Sequence, residues 1–187
     1  MLYLLFTTAL RWTLFGMILQ PNQMQEKIIY QFNESSDKRD WLIINDGVMG
    51  GVSTSSFFIN TRNVGVFKGE VSTANYGGFA SVRCATGKFK TEDFTKVRLK
   101  LKGDGKNYQF RLKHKNSDPE SYIITFPTTG EWEEVIINLN EMFPSFRGQK
   151  LKSPNFDKSF FEQICFLIAN KKNESFRIEI SEIALVK

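Results

Sequence analysis

The stretch KVRLKLKG, residues 96–103, alternates strictly between apolar and basic side chains. A period of two residues places the apolar side chains on one face of a β-strand and the basic ones on the other. The same alternation recurs in YQFRLKH, residues 108–114, and in FRIEISEIALV, residues 176–186. Such strands are typical of antiparallel sheets. GDGKN, residues 103–107, has turn chemistry and predicts that the first two runs form one β-hairpin.

Other short strand-like runs recur from Lys27 onward, separated by Gly, Asn, Asp or Pro. They lie at residues 28–32, 56–60, 64–72, 78–84, 122–126, 132–139 and 164–169. One helical turn capped by Ser36 is expected at residues 36–41, and little else before residue 157 has a helical period. About ten strands with almost no helix predict an all-β fold, an antiparallel two-sheet β-sandwich of the jelly-roll kind.

The length and composition agree with one globular domain. The chain has 187 residues, of which 41% are hydrophobic, 24% are charged and 18 are phenylalanine. A domain of this size is stable without disulfides or metals, and phenylalanine favours strands and thick cores. The formal net charge of +5 is modest and does not indicate a nucleic-acid binder, in which basic residues cluster on one face.

Residues 1–25 are expected to lie apart from this domain, which is predicted to span residues 26–187. The first 19 residues are apolar except for Arg11, whose central position suits neither a secretory signal nor a spanning helix. Three interpretations stay open: an atypical signal or anchor, an interfacial helix, or an over-extended start with the true one at Met17 or Met24. The protein is expected in the cytoplasm or at a membrane, and to be periplasmic or secreted if this segment is a signal.

The stretch NDGVMGGVS, residues 45–53, raises the question of a phosphate-binding loop. It lacks the lysine and the following helix of a P-loop, and no βαβ unit surrounds it as in dinucleotide-binding folds. A structural role is favoured, because Gly50 and Gly51 allow a turn or a close backbone contact. Asp46 and Ser53 can bond to backbone amides in such a turn.

Catalytic and metal-binding patterns are not evident in the sequence. His114, the only histidine, lies between two lysines, which disfavour the imidazolium that a catalytic triad requires. Cys84 and Cys165 form no zinc pattern and lie in apolar runs, which favours buried free thiols over a disulfide. We therefore expect no enzyme, no metal and no cofactor. A glycosidase-like carboxylate pair stays open, although turn acids are usually caps; the acids near turns are Asp46, Asp93, Asp104 and Glu131.

Two surfaces are candidates for binding. The first is the basic outer face of the predicted 96–115 hairpin, which could meet an acidic protein or anionic lipid headgroups. Alternatively, this basic face has no partner and is only solvated, with lysines that protect the edge of the sheet from pairing with other strands. The second is the segment 140–156, which predicts a long irregular loop with an aromatic and basic interface; alternatively its phenylalanines plug the open end of the sandwich. The candidate residues are Lys100 and Arg111 on the hairpin, and Phe143, Phe146 and Arg147 in the loop.

Six motifs, in order, resemble one known family. They are W…NDGVMGGVS (41–53), FKGEVS (67–72), GGFASVR (77–83), GDGKNYQFRL (103–112), F…W (126, 132) and FPSFRG (143–148). The region from Lys27 to Lys187 thereby resembles the CIA30 family, named for complex I intermediate-associated protein 30. The resemblance implies a galactose-binding-like jelly roll and, in mitochondrial members, a non-enzymatic assembly factor for respiratory complex I.

The resemblance also implies which positions carry the family pattern. They are Trp41, Asp46, Gly50, Gly51, Ser53, Gly77, Gly78, Phe79, Arg83, Gly103, Asp104, Gly105, Tyr108, Trp132, Arg147 and Gly148. The family's late dGxF pattern is degraded here to NESF (173–176). Because a mitochondrial transit pattern is lacking and little lies beyond the domain, we expect a compact bacterial member, in which a complex I role need not hold.

The conformation of the backbone explains why most of these positions carry glycine or a turn residue. Arg83 requires a different explanation. Structural turns are expected at Gly77, Gly78, Gly103, Asp104 and Gly105. Arg83 shares a strand face with Phe79, so an inward Phe79 would bury Arg83 and require a carboxylate partner. Asp46 is the predicted partner of Arg83, in a partly buried pair that holds the glycine turn.

The leading functional interpretation is a non-catalytic module that holds a protein client, such as subunits or an assembly intermediate of a membrane complex. Weak contact with an anionic membrane surface would be compatible with it, and nucleic acid is not expected as a partner. The alternative is a carbohydrate-binding module, because sandwiches of this type commonly bind sugars through loops at one end. Its available aromatic platforms are Trp41, Tyr76 and Trp132.

Overall fold

A computed structural model describes residues 25–187, and the regular secondary structure of this part of the chain is mostly β-strand. Its strands are β1 (Glu26–Gln31), β2 (Trp41–Asn45), β3 (Thr54–Ile59), β4 (Gly65–Val71), β5 (Ala80–Lys90), β6 (Lys96–Lys102), β7 (Asn107–Lys113), β8 (Ser121–Pro127), β9 (Trp132–Asn138), β10 (Phe143–Phe146), β11 (Gln149–Lys150), β12 (Phe160–Ile168) and β13 (Glu174–Val186). Short 3-10 helices cover Lys38–Asp40, Asp46–Met49, Ala74–Tyr76 and Leu139–Glu141.

The strands form two antiparallel sheets. The six-stranded sheet has the order β3-β4-β13-β6-β9, with β1 paired to the far end of β13. The seven-stranded sheet has the order β11-β10-β8-β7-β12-β5-β2. This arrangement confirms the predicted antiparallel β-sandwich.

Aromatic side chains fill the space between the sheets. Phe67 of the six-stranded sheet and Tyr108, Phe110 and Phe166 of the seven-stranded sheet are fully buried. Trp41 packs in the same core, with its ring centroid 5.2 Å from that of Phe57. The high phenylalanine content is therefore used to span a two-layer core.

The predicted hairpin over residues 96–115 is wrong. Strand β6 pairs with β9 and β13 in one sheet, whereas β7 pairs with β8 and β12 in the other. The turn at residues 103–107 carries the chain from one sheet to the other. Asp104 stabilises this crossing by accepting hydrogen bonds from the Tyr108 hydroxyl at 2.9 Å and the Arg177 amide at 2.9 Å. Turn chemistry marks a change of direction but does not select the partner strand.

Two further local predictions differ from the structure. The segment 140–156 is not an irregular loop, because β10 adds to the edge of the seven-stranded sheet through β8 and then turns back into β11. The helical turn near residue 38 is a 3-10 helix capped by Asp37, whose carboxylate accepts the amide of Arg39, rather than by Ser36. Proline and mixed polarity in FPSF hide a short edge strand from a periodicity test.

Both cysteines are buried and free. Cys84 belongs to the core between the sheets, while Cys165 lies opposite Arg83 and outside that core. Their side chains leave opposite faces of one sheet, so they cannot meet in a disulfide.

The predicted N-terminal segment, residues 1–25, lies outside the described residues except for its last position. Within residues 25–187, no helix has the length and apolar character needed to cross a bilayer.

Candidate binding cleft

The glycine stretch is organised around the buried carboxylate of Asp46. It accepts the backbone amide of Ser53 at 3.0 Å and also the Ser53 hydroxyl. It further accepts the amides of Gly78 at 2.6 Å and Phe79 at 3.1 Å, from a loop more than thirty residues away in sequence. Asp46 thus joins two loops at one end of the sandwich.

Close packing around this carboxylate explains two of the glycines. A Cβ atom at Gly51 would overlap the carboxylate of Asp46, and one at Gly77 would overlap both that carboxylate and the carbonyl oxygen of Ser72. Three other glycines that were predicted to lie in turns have a positive φ, namely Gly50, Gly78 and Gly105. Burial by itself would raise the pKa of Asp46, but the hydrogen bonds from Ser53, Gly78 and Phe79 hold it below the ordinary value.

The predicted ion pair between Asp46 and Arg83 is wrong. Phe79 and Arg83 do share a face, but that face points away from the core and borders a cleft. The neighbouring side chains of Ala80, Val82 and Cys84 point inward instead. Asp46 is satisfied by neutral donors, and Arg83 lies on the outer face of the seven-stranded sheet.

The cleft over this outer face, which we call the basic cleft, has a volume of about 390 Å³. Its floor contains Arg83 of β5, Arg111 and Lys113 of β7, and Leu167 of β12. Arg83 and Arg111 both lie opposite Cys165 in the strand register, so they flank one position of the intervening strand. Antiparallel pairing therefore brings side chains from three strands together.

Within the described part of the chain, the cations of the basic cleft have no acidic partners. Among residues 25–187, no carboxylate lies within ion-pair distance of Arg83, Arg111 or Lys113. Arg111 instead donates to the side-chain oxygen of Gln109, from Nε at 3.1 Å and from Nη2 at 2.5 Å. Burial raises the pKa of the Cys165 thiol, so Cys165 supplies no anion either. The floor carries uncompensated positive charge.

Burial and the nearby positive charge of Arg83 both lower the pKa of two cations in the cleft, Arg111 and Lys113. Burial, and then the nearby Arg83 guanidinium, lower the pKa of Arg111. The same two causes lower the pKa of Lys113, and the more distant carboxylates of Asp118 and Glu120 only partly oppose them. Both shifts mean that the charged forms are less favourable here than in water.

Apolar groups from three loops form the walls of the cleft. Met49 follows Asp46 in the same 3-10 helix, and Phe79 follows the loop that Asp46 holds. Phe146 ends β10 and is 40% exposed, with the Arg147 guanidinium 5.3 Å from its ring centroid. An anionic ligand with an adjoining apolar part would complement this arrangement.

The outer face of the six-stranded sheet has the opposite character. Arg98 pairs with Glu26 at 2.6 Å and with Glu182 at 2.7 Å, and Lys100 pairs with Glu182 at 3.1 Å. Lys102 lies 3.7 Å from Glu131. The continuous basic surface predicted for the hairpin does not exist, because Lys100 and Arg111 lie on opposite faces of the sandwich.

The aromatic residues of segment 140–156 are divided between core and surface. Phe156 is buried with its ring centroid 5.1 Å from that of Tyr122, so it fills the core. Phe143 is half-buried, and the Lys150 ammonium lies 4.7 Å from its ring centroid. Only Phe146 of the three lines the basic cleft, together with Arg147.

Sequence reasoning did not single out Met49 as a site residue, and it placed Lys113 on the wrong surface. A sequence signal for Met49 exists, because a large apolar residue among glycines in a predicted turn is unusual. The structure shows that this side chain is exposed. For Lys113, no sequence signal distinguishes the two sheets.

The other predicted positions lie outside the basic cleft. His114 makes its ring contact with the carbonyl oxygen of Phe160 at 3.1 Å. Trp41 is a core residue, and Trp132 lies on β9 of the opposite sheet. Tyr76 is almost fully exposed beside the cleft-lining Gly77. Residues 25–187 contain no group of three or more His, Cys, Asp or Glu side chains placed to hold a metal ion.

Comparison with known proteins identifies the family. The sequence model described as complex I intermediate-associated protein 30 (CIA30) matches residues 30–180. The chain belongs to the CIA30 family. A comparison of this CIA30 chain with curated protein sequences gives no significant match.

Solved structures similar to this CIA30 chain include carbohydrate-binding modules. The family 11 module of the cellulosomal cellulase Lic26A-Cel5E of Clostridium thermocellum has a TM-score of 0.68 and 14% identity, covering 87% of this chain and 95% of that one. The same module in complex with a mixed-linked tetrasaccharide gives 0.65 and 14%, covering 86% and 95%. A family 29 module gives 0.50 and 14%, covering 88% and 89%. At this identity the likeness shows the fold, a galactose-binding-like jelly roll.

Proposed function

We propose that this CIA30 protein is a non-enzymatic binding module that holds a protein client, an assembly intermediate of complex I, at the basic cleft. The observation that carries the proposal is an open cleft with an unpaired cationic floor and apolar walls. Half-buried cations without acidic partners lower the stability of a fold, and their retention is typical of a functional site.

The contrast between the two outer faces supports this choice of surface. On the six-stranded sheet, Arg98, Lys100 and Lys102 are paired with carboxylates, which come from Glu26, Glu131 and Glu182. The basic cleft has no such internal partners among the described residues, and exposed Met49 and Phe146 border it. Apolar anchors beside arginine are typical of protein interfaces. The family description supplies the class of client.

A sugar ligand has weaker support. Carbohydrate modules need exposed aromatic platforms with polar groups beside them, but Trp41 is 4% exposed and belongs to the core. Trp132 lies on the sheet opposite the cleft. Phe79 and Phe146 offer rings without a polar group of their own. Of the three predicted platforms, only Tyr76 is exposed beside the cleft, and a single ring is a smaller platform than the sequence predicted.

Affinity purification of the full-length chain from native membranes, followed by mass spectrometry, tests the proposal. We expect complex I subunits to be retained by the wild type and lost when Met49→Ser and Phe146→Ser are combined. The matched control is Ile136→Ser, which removes an exposed apolar side chain from β9 on the other sheet. Absence of complex I subunits, or equal losses in both variants, would reject the proposal.

A further inference from the structure

We propose that the basic cleft recognises an extended client segment that presents two side-chain carboxylates, two residues apart, and a large apolar side chain on the same face. Arg83, Arg111 and Lys113 bind the carboxylates, and Phe79 and Phe146 contact the apolar side chain. This inference rests on the proposed function, because it specifies the chemistry of the client at the same cleft.

The spacing of the cations matches carboxylates on an extended chain. Arg83 and Arg111 are two strands apart, which separates their backbones by about 10 Å. Lys113 lies two residues beyond Arg111 on the same face of β7, about 7 Å along the strand. Carboxylates at positions i and i+2 of an extended peptide are also about 7 Å apart, so one can reach the arginines while the other reaches Lys113.

The chemistry of the floor favours carboxylates over a single compact anion. Two guanidiniums offer planar forks of donors that match planar carboxylates. The backbone positions of the three cations are about 7 to 10 Å apart, from one to the next, on the floor of a cleft of about 390 Å³. An ion such as phosphate would contact some of them and leave the apolar walls unused.

The surroundings of each cation leave room for an acidic partner. Arg111 bonds only to Gln109 among the described residues, which uses the Nε and Nη2 donors and leaves Nη1. Asp118, which lies near Lys113, accepts the backbone amide of Lys115 instead of an ammonium donor. Ser121 and Ser145 add hydroxyl groups beside this end of the cleft. A carboxylate entering here would meet donors and no competing acid within ion-pair distance.

Binding of two synthetic peptides to the full-length protein tests this inference. The first probe is a capped pentapeptide with glutamate at positions 1 and 3 and leucine at position 5, which places all three side chains on one face of an extended chain. The second probe replaces both glutamates by glutamine. We expect the glutamate peptide to bind and the glutamine peptide to bind about tenfold or more weakly, as measured by isothermal titration calorimetry. Affinity for the glutamate peptide should also fall as salt is raised.

Charge-neutralising variants locate the site. Arg111→Gln and Lys113→Gln, made separately, should each weaken the glutamate peptide by about tenfold or more. The matched control combines Lys100→Gln with Lys102→Gln, which removes two charges from the opposite sheet and should leave affinity unchanged. A thermal melt shows whether each variant folds. If Arg111→Gln does not fold, Lys113→Gln still tests whether the cleft binds the peptide.

Equal binding of the two peptides, no binding of either, or equal losses in cleft and control variants would overturn the inference. Binding only of inorganic phosphate, or only of vesicles containing phosphatidylserine, would also overturn it and assign another anion to the cleft. The membrane purification tests the proposed function independently of the peptides. If the wild type retains complex I subunits there, the proposed function is supported even when the peptide results overturn this inference. The two proposals therefore fail separately.

Discussion

Asp46 shows how one residue organises the loops around the basic cleft. Its carboxylate takes three backbone amides and one hydroxyl, from Ser53, Gly78 and Phe79. A neutral amide cannot replace it, because the side-chain nitrogen of asparagine would face donors rather than acceptors. Met49 and Phe79 take their positions in the cleft walls from this arrangement.

Asp46→Asn should lower the free energy of unfolding by about 1–3 kcal/mol at pH 7, because charge-assisted hydrogen bonds are lost in a buried site. The folded-state pKa of Asp46 is lowered from its ordinary value of 3.8, so the stabilisation is present above that pH and disappears as the pH falls through the folded-state value. Denaturant unfolding at pH 7 and at acid pH measures both effects. A deficit of the same size at both pH values would contradict this explanation.

At the scale of secondary-structure elements, the two outer faces show that strands of similar sequence can differ in how far their charges are neutralised, depending on the strands beside them. Strand β6 and strand β7 both alternate apolar with polar or basic residues. Glutamates from the neighbouring strands compensate β6, whereas β7 lies beside β12, which presents Cys165 and Gln163 opposite its cations. The charge state of a strand face is therefore set by the strands that pair with it.

Glu182→Gln should destabilise the protein by about 2–4 kcal/mol, because Glu182 is buried and serves both Arg98 and Lys100. Burial would raise the pKa of Glu182, but Arg98 and Lys100 hold it below the ordinary value. The matched variant Glu134→Gln alters an exposed carboxylate 3.9 Å from Lys100 and should change stability by less than about 1 kcal/mol. Urea titration compares them, and similar losses would show that burial of the pair is unimportant.

At the scale of the whole molecule, the sandwich separates a compensated face from an uncompensated one. Two layers share a core of phenylalanine and aliphatic side chains, while each outer face has its own electrostatics. Arg83 and Arg111 repel each other in the free protein, and burial strengthens that effect. In our proposal, this loss of stability is the cost of affinity toward an anionic partner.

Combining Arg111→Gln with Lys113→Gln should raise the free energy of unfolding by about 0.5–1 kcal/mol while weakening ligand binding, because like-charge repulsion is relieved. The gain should shrink at high salt, since screening already reduces the repulsion in the wild type. Thermal and urea unfolding at two salt concentrations measure it. A loss of stability, independent of salt, would show that these cations serve the fold rather than a ligand.

The sequence by itself determined the all-β class and the strand faces, because alternation between neighbouring residues decides which side chains can be buried together. Most strands could therefore be predicted, as could the turn chemistry of Asp46, Ser53 and the glycines near them. Such signals are local, and they act over a few residues along the chain.

Only the tertiary structure decided which strands pair. Strand pairing in turn decided which side chains line the basic cleft. The turn at residues 103–107 crosses between sheets instead of closing a hairpin, so Lys100 and Arg111 face opposite directions. Arg83 faces away from the core, and β12, a strand from much later in the chain, brings it beside Arg111. Strand pairing depends on burial of the whole core, and no local pattern encodes a contact between residues so far apart in sequence.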